Sequence, residues 1–282
     1  MLNNKTRIEY YLGEFKYEGF PTESSSKLFD APFKLSHDAK SRSTYDTDLN
    51  RLYQIKPNTL WVQCGDQPYT GKNKVLVKTR DSFSNESKGI LAKLNTWRHW
   101  NMSLSEDWDW SYKMSDIMWR GADTGNNPKN NDRLSFVKKF YKTLNVGFSF
   151  WQQNKNLSPE FYPDEYLKGS VNVTDLLKFK YHPIIDGNDK SSSLNWVLAS
   201  NCLPIMSKPR FHSWACEKFL EPNIHYVECK RDFSDFLDKV EWCRSNDGEA
   251  KKIAQNGKKF MQMFSNIENE NKIERELINT LC

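Results

Sequence analysis

The stretch Lys180–Met206, KYHPIIDGNDKSSSLNWVLASNCLPIM, decides how the chain is read. It runs strand, polar loop, helix, turn, strand. His182 to Ile185 is short, apolar and β-branched at its end. Asp186-Gly187-Asn188-Asp189 is turn chemistry, because Gly, Asn and Asp tolerate the backbone angles a turn imposes. Ser191, Ser192 and Ser193 are candidate N-caps, each with a hydroxyl able to accept a helix-start N–H. Leu194, Val197 and Leu198 recur at i, i+3 and i+4, the spacing of one helix face. Asn201 can close that helix, and Leu203-Pro204-Ile205-Met206 begins a second strand. Such a βαβ unit leaves backbone N–H groups and the positive end of a helix dipole at the carboxyl edge of a sheet, a seat for a phosphate. An ordinary crossover without a ligand reads the same way, since fold alone does not fix function.

The same alternation extends in both directions. Thr59 to Cys64 reads as a buried strand ended by Gly65-Asp66-Gln67-Pro68. That puts Asp66 at a sheet's carboxyl edge, where ligand crevices of open α/β sheets lie. Lys74 to Lys78 is a second short strand, and Gly89 to Leu94 reads as a possible helix. Trp97, Trp100, Trp108 and Trp110 follow, interleaved with Glu106, Asp107 and Asp109. They read either as a domain-joining, cleft-lining segment or as an aromatic core patch. Residues 1–50 look irregular apart from a helical turn near Leu49 to Ile55. Further on, Ile117-Met118-Trp119 is a strand followed by Arg120-Gly121, and Asn131 or Asp132 caps a helix from Arg133 to Tyr141. Asn145 to Phe150 and Ile224 to Val227 are strands; Val173 to Phe179, Phe236 to Arg244 and Gly248 to Phe264 are helices. A short tail helix spans about Lys272 to Leu281. The pattern predicts an α/β fold of two Rossmann-like domains facing a cleft. The boundaries fall at residues 1–112 and 113–264, with 265–282 able to pack back on the first domain.

Composition sets the outer limits. A chain of 282 residues, 38% hydrophobic and 27% charged, is globular rather than disordered. Ten Trp, twelve Tyr and seventeen Phe supply core volume and also walls suited to sugar rings and bases. The net charge of +5 is spread along the chain, which suits anionic ligands such as nucleotide phosphates without forming a nucleic-acid signature. The first residues, MLNNKTRIEYYLGEF, hold no apolar run of a secretory signal, and no stretch approaches the roughly 18 apolar residues of a membrane span. Six cysteines, at 64, 202, 216, 229, 243 and 282, form no CxxC pair. Free thiols in a reducing, cytoplasmic compartment are the expectation.

Several pieces together carry a resemblance: Met118-Trp119-Arg120-Gly121 with Thr124 and Arg133 after it, Lys180-Tyr181, Asp186-Gly187 with Ser191, Trp214, the His225-Tyr226 pair after Pro222, the helix start Asp232-Phe233-Ser234-Asp235, and Ala250, Ile253-Ala254 and Gly257. In this order and spacing the chain, over roughly Asn58 to Phe264, resembles glycosyltransferase family 90, the capsule-associated CAP10-like and Rumi-type protein O-glucosyltransferases. The resemblance implies a GT-B-like fold, a UDP-sugar held mainly by the C-terminal domain, inversion at the anomeric carbon and no metal. It assigns Asp66, in the acceptor-side domain, as general base. It places Arg120 on the donor diphosphate and Ser191 in the donor-site loop; Gly121, Thr124, Asp186, Gly187 and Lys190 complete the expected donor set.

Elementary chemistry asks for the same parts. An inverting transfer needs one base for the acceptor hydroxyl and positive charge or aligned N–H groups for the departing UDP. Each assignment has a plain structural alternative. Asp66 can be a turn cap, with Asp81 and Glu106 as competing bases; Arg120 can pair with a carboxylate; Ser191 can be an N-cap; His182, His225 and Tyr226 read as packing. Asp107-Trp108-Asp109 has the spacing of a metal clamp but reads as structural. The chain departs from the family at Asp186, where the animal enzymes often carry a basic residue, and at Ser193, where they carry a second diphosphate-binding Arg. Lys190 or Arg210 could replace that charge.

The expected protein is a cytoplasmic glycosyltransferase (in host cytoplasm if viral) that uses no cofactor. Its partners are a UDP-sugar donor, xylose favoured and glucose next, and an oligosaccharide or glycoconjugate acceptor, with no nucleic acid and no membrane span. The rival readings are a lipopolysaccharide-type hexosyltransferase and a non-catalytic glycan-binding protein on the same scaffold.

Overall fold

A computed structural model describes residues 2–21, 32–35, 43–100, 107–125, 127, 131–154 and 159–281. The chain divides into two compact units. Unit 1 is Met1–Asn101 with Arg210–Phe219 and Gln262–Cys282; unit 2 is Met102–Pro209 with Leu220–Met261.

Unit 1 begins with a helix where an irregular segment was expected. In α1 (Asn4–Leu12) the Asn3 side chain accepts from Thr6 N, and Arg7, Tyr10 and Tyr11 are buried. Those positions have the i, i+3, i+4 spacing of a helix face, but the face contains an arginine and so hides from a hydrophobic pattern. Arg7 is usable inside because Glu270, on the fifteen-residue terminal helix α9 (Ile267–Leu281), takes two bonds from its guanidinium at 2.6 and 2.9 Å. Trp214 Nε1 donates to the same carboxylate at 2.7 Å, and its ring stacks on Tyr11 at 4.0 Å. The opposite charges and the bidentate geometry offset the desolvation of both ions.

A second helix, α2 (Asp46–Ile55), lies in sequence between the first strand of the unit's main sheet and the rest. The sheet runs β1 (Phe33–Lys34), β2 (Trp61–Val62), β3 (Leu76–Val77), β5 (Ile90–Leu91); β1 is antiparallel to β2 and the others are parallel. Gly89 to Leu94, expected as a possible helix, is therefore not helical and holds the two-residue strand Ile90–Leu91. A short apolar run buried on both sides cannot be told from a helix by periodicity. Next to it, β4 (Thr79–Asp81) pairs antiparallel with β10 (Phe211–Ser213). This pairing draws Arg210–Phe219 into unit 1, although the sequence reading gave all of 113–264 to one domain. One more short helix, α3 (Thr96–His99), follows β5 after Asn95, whose φ of 54° is left-handed.

Unit 2 is a five-stranded, all-parallel sheet of β6 (Met114–Gly121), β7 (Asn145–Phe148), β8 (Phe179–Pro183), β9 (Leu203–Met206) and β11 (Val227–Glu228), in the order β11-β9-β8-β6-β7. The connecting helices are α4 (Asp132–Phe140), α5 (Val173–Leu176), α6 (Ser193–Ala199), α7 (Phe236–Ser245) and α8 (Asp247–Met261). Every residue of β8 and β9 is buried, as expected of parallel strands covered on both faces. Asn131 caps α4 through Leu134 N at 2.8 Å. Phe136 on α4 packs edge-on against Phe233 and Phe236, and Trp119 on β6 against Phe136 and Phe148. Two expectations shift. Val173 to Phe179 is one helical turn, because Phe179 already belongs to β8. Of Ile224 to Val227, Ile224 and His225 form a turn and the strand starts only at Val227, because Asn223 is left-handed (φ 59°) and its N–H closes on Tyr226 O. At Gly257 the α8 backbone comes so close to α6 that a Cβ would lie 2.8 Å from Leu198 Cδ2. Among the described residues no helix is long and apolar enough to cross a membrane.

Candidate active site

In unit 2 the strand order places β6 beside β8, with β7 on one side and β9 and β11 on the other. The connections from β6 and from β8 therefore leave in opposite directions across the sheet. In open α/β sheets that switch point opens a crevice at the carboxyl ends of the two strands. Here the crevice is bordered by the turn after Gly121 and by the loop from Ile184 to the start of α6.

Arg133, from the first turn of α4, ties the two borders together. Its Nη1 donates to Ala122 O at 2.9 Å and to Thr124 Oγ1 at 2.8 Å. Its Nε and Nη2 both reach Ile185 O at 3.3 Å. Gly187 sits against this bridge: a Cβ there would lie 2.5 Å from Thr124 Oγ1 and 3.1 Å from the guanidinium carbon. A glycine is thus required by close approach rather than by backbone angle. Asp186 accepts from Ser191 N at 3.2 Å. Burial pushes its carboxyl up to about 6; the Ser191 N–H and the Arg231 and Arg133 cations act against that rise, and Asp132 acts with it. Ser191 is buried and shares a 2.8 Å hydrogen bond between its hydroxyl and that of Ser193. The cap position of the seven-residue α6 is Ser192, whose side chain makes no capping bond.

Of the donor set read from the sequence, Thr124, Asp186, Gly187 and Ser191 come together here, and Gly121 ends the strand that leads in. Lys190 is buried and turned to Asn195, Nζ to Oδ1 2.8 Å. Arg120 points elsewhere in this structure. It pairs across the sheet with Gly147, yet its guanidinium bonds Asn145 O and Oδ1 at 2.8 and 2.7 Å, two residues back along β7. Its head thus lies toward the amino ends of the strands, with its Nε buried and without a hydrogen bond among the described residues. Burial lowers its pKa, which is a desolvation effect.

Two residues that shape the crevice escaped the sequence reading. Arg133 stood in the motif but had no site role, because its partners are mostly backbone carbonyls that no sequence pattern announces. Asp123, fully buried, gathers the backbone N–H groups of Gln152, Gln153 and Asn154 and so fixes the segment after β7. An Asp two residues past a strand-Arg-Gly motif is its one visible signal. Asp107, of the clamp-like Asp107-Trp108-Asp109, spends one oxygen on Lys113 Nζ and the other on Asn201 N, both at 2.6 Å. His182 is buried against Phe179 O, and burial lowers its pKa to about 4. His225 accepts from Glu221 N at 3.0 Å through Nδ1.

In unit 1, Asp66 lies just past β2, as the sequence places it. Its Oδ1 pairs with the buried Lys78 ammonium, and Arg98 approaches Oδ2 at 3.7 Å. Its side chain keeps 28% exposure, enough for an incoming hydroxyl to reach it. Asp81, a competing base, is 6% exposed and holds Arg210 through Oδ2, Nε at 2.9 Å. Arg210 therefore belongs to unit 1 and to Asp81, which leaves the position read as lacking a charge at Ser193 without that replacement. Glu106 lies outside the described residues. Among the described residues no three His, Cys, Asp or Glu converge to hold a metal ion.

Comparison with known proteins gives one family model and several relatives. The model for glycosyl transferase family 90 matches residues 67–271. An O-glucosyltransferase LpsA of Dichelobacter nodosus is 26% identical over 268 residues, covering 94% of this chain and 78% of its own length. Protein O-glucosyltransferase 2 of Danio rerio is 28% identical over 157 residues, 54% of this chain and 29% of that protein. An uncharacterised protein, 179R, of Invertebrate iridescent virus 6 is 26% identical over 225 residues, 67% of this chain and 19% of that protein. The chain thus spans most of the bacterial relative and less than a third of the other two.

Proposed function

Because the chain belongs to glycosyl transferase family 90, we propose that it moves a sugar from a UDP-sugar to a hydroxyl of a glycan acceptor, inverting the anomeric carbon without a metal ion. The two units then correspond to the acceptor-side and donor-side domains of a GT-B-like enzyme. The observation that carries this reading is the cluster of Thr124, Asp186, Gly187 and Ser191 about Arg133, at the switch point of a parallel sheet. A nucleotide diphosphate is the ligand that such a crevice suits, with hydroxyls, loop N–H groups and a guanidinium at the carboxyl edge. The sequence favoured xylose as the donor sugar. The names of the bacterial and fish relatives shift the order to UDP-glucose first and UDP-xylose second. The two sugars differ by one hydroxymethyl group, so their kcat/KM values should differ by roughly 10–200-fold in whichever direction the pocket fits. The described cysteines are five buried free thiols, which accords with a reducing, cytoplasmic location.

In this mechanism the acceptor hydroxyl oxygen attacks C1 of the donor sugar while Asp66 takes its proton. The bond from C1 to the diphosphate oxygen breaks, and its electron pair leaves with UDP. Protein cations and N–H groups carry that growing charge. Arg120 supplies part of it after releasing Asn145 and turning toward the carboxyl edge.

A UDP-release assay on UDP-glucose and UDP-xylose, with and without EDTA, tests the reading. Activity should survive EDTA. Asp66→Asn should lower kcat roughly 10²–10⁴-fold with little change in donor KM. Arg120→Ala should raise donor KM about tenfold or more, the worth of a charge-assisted hydrogen bond. Full activity in both variants, or activity abolished by EDTA and restored by manganese, would sink the assignment.

A further inference from the structure

Unit 1 holds a cavity of about 460 Å³ whose walls come from α2, α3, α9 and the chain just past β5. The second residue of α3 is unusual. Trp97 lines this cavity and is 73% exposed, although an indole is costly to leave in water. Trp100 forms a second aromatic wall, and Lys93 Nζ stands 4.8 Å over its ring.

The walls are held rigid. Asp48 accepts from both Thr96 N and Thr96 Oγ1, which fixes the start of α3. Arg51 bridges Asp48 and Glu274, the latter through two bonds of 2.8 and 3.0 Å, and also donates to Lys93 O. Glu270 is saturated by Arg7 and Trp214. Lys93 differs from these: among the described residues its ammonium makes no hydrogen bond or salt bridge and lies over the Trp100 face, with Glu270 and Glu274 acting on it only through space. Burial lowers its pKa. A half-buried ammonium with donors to spare calls for an oxygen-rich ligand. Counting charges, Arg7, Arg51 and Lys93 balance Asp48, Glu270 and Glu274, so the ligand need carry no charge of its own. An exposed indole beside such donors is built to stack the apolar face of a sugar ring while its hydroxyls are hydrogen-bonded.

The position of α3 connects this cavity to the chemistry. The residue after Trp97 is Arg98, which reaches Asp66. One turn of helix thus presents an indole to the cavity and a guanidinium to the proposed base.

We propose that the Trp97–Trp100–Lys93 cavity is the acceptor subsite, taking an uncharged pyranose ring of the acceptor glycan. This rests on the proposed transfer reaction, and it predicts that sugar binding here is separable from use of the donor.

Saturation-transfer NMR on the full chain, with methyl glucosides and methyl xylosides at millimolar concentration and methyl glucuronide as the charged comparison, tests it. Wild type should show transfer to the neutral glycosides in preference to the glucuronide. Trp97→Ala and Lys93→Met should each weaken it about tenfold, the worth of one stacked ring or one well-placed hydrogen bond. Both variants should keep the wild-type melting temperature within a few degrees, since Trp97 is exposed and methionine retains the Lys93 stem. UDP-sugar hydrolysis in the absence of acceptor should be unchanged in both. The proposal is overturned if wild type binds none of the neutral glycosides, if it prefers the glucuronide, or if both folded variants bind as wild type does. Loss of donor hydrolysis in wild type itself would instead count against the transfer reaction, while leaving the NMR result to stand on its own.

Discussion

Asp186 is the residue at which sequence and surroundings pull hardest against each other. Its carboxyl is pushed up to about 6 by burial, from an ordinary value of 3.8. The folded form therefore holds its proton more tightly than the unfolded chain does. The benefit is fully present below about 3.8 and is lost as pH rises through about 6, so at neutral pH the ionised carboxylate costs stability. Asp186→Asn should raise stability at pH 7.5 by roughly 1–3 kcal/mol and leave it little changed at pH 4. Thermal melts across that range read this directly; an equal effect at both pH values would show that charge is not the cause. The sequence marked Asp186, Gly187, Ser191 and Thr124 because loop chemistry and motif order show on the page. It gave no role to Arg133, whose bonds go mainly to Ala122 O and Ile185 O. It pointed to Arg120 as a phosphate contact, but the rotamer that sends this side chain back to Asn145 is set by the register of β6 on β7, which only the folded sheet defines.

At the scale of elements, Gly187 holds the turn after β6 and the loop after β8 in contact. Gly187→Ala would drive a methyl to 2.5 Å from Thr124 Oγ1, and something must give. Overpacking of this kind costs about 1–3 kcal/mol. We expect a melting temperature lower by several degrees, with donor KM raised roughly tenfold or more and kcat less affected. Steady-state kinetics with varied donor check it; an unchanged KM would detach Gly187 from the donor loop. Parallel strands with continuous apolar runs, such as Leu203 to Met206, were legible from sequence because burial on both faces leaves a clear mark. α1 was not, because its core face includes Arg7, and the partner that makes an arginine tolerable there lies 263 positions away. The segment around Ile90 was misread because two buried residues carry no period.

For the molecule as a whole, alternation of strand and helix foretold an α/β chain, but not which strands would be neighbours. The order β11-β9-β8-β6-β7 and the return of residues 210–219 and 262–282 to unit 1 depend on contacts remote in sequence. Each unit has its own core, so the two need not lose structure together. Arg7→Met strands Glu270 without its guanidinium inside unit 1 and should destabilise that unit by about 3–5 kcal/mol. Hydrogen exchange should then accelerate in α1 and α9 and stay as in wild type along β6 and β8; uniform acceleration would mean that the chain unfolds as one. The same measurement, made with UDP, tests the central claim most directly. UDP bound at the switch point of unit 2 should slow exchange in residues 121–125 and 185–193 and leave α1 and α9 unchanged. Unaltered exchange in both loops at saturating UDP, or protection confined to unit 1, would contradict the account.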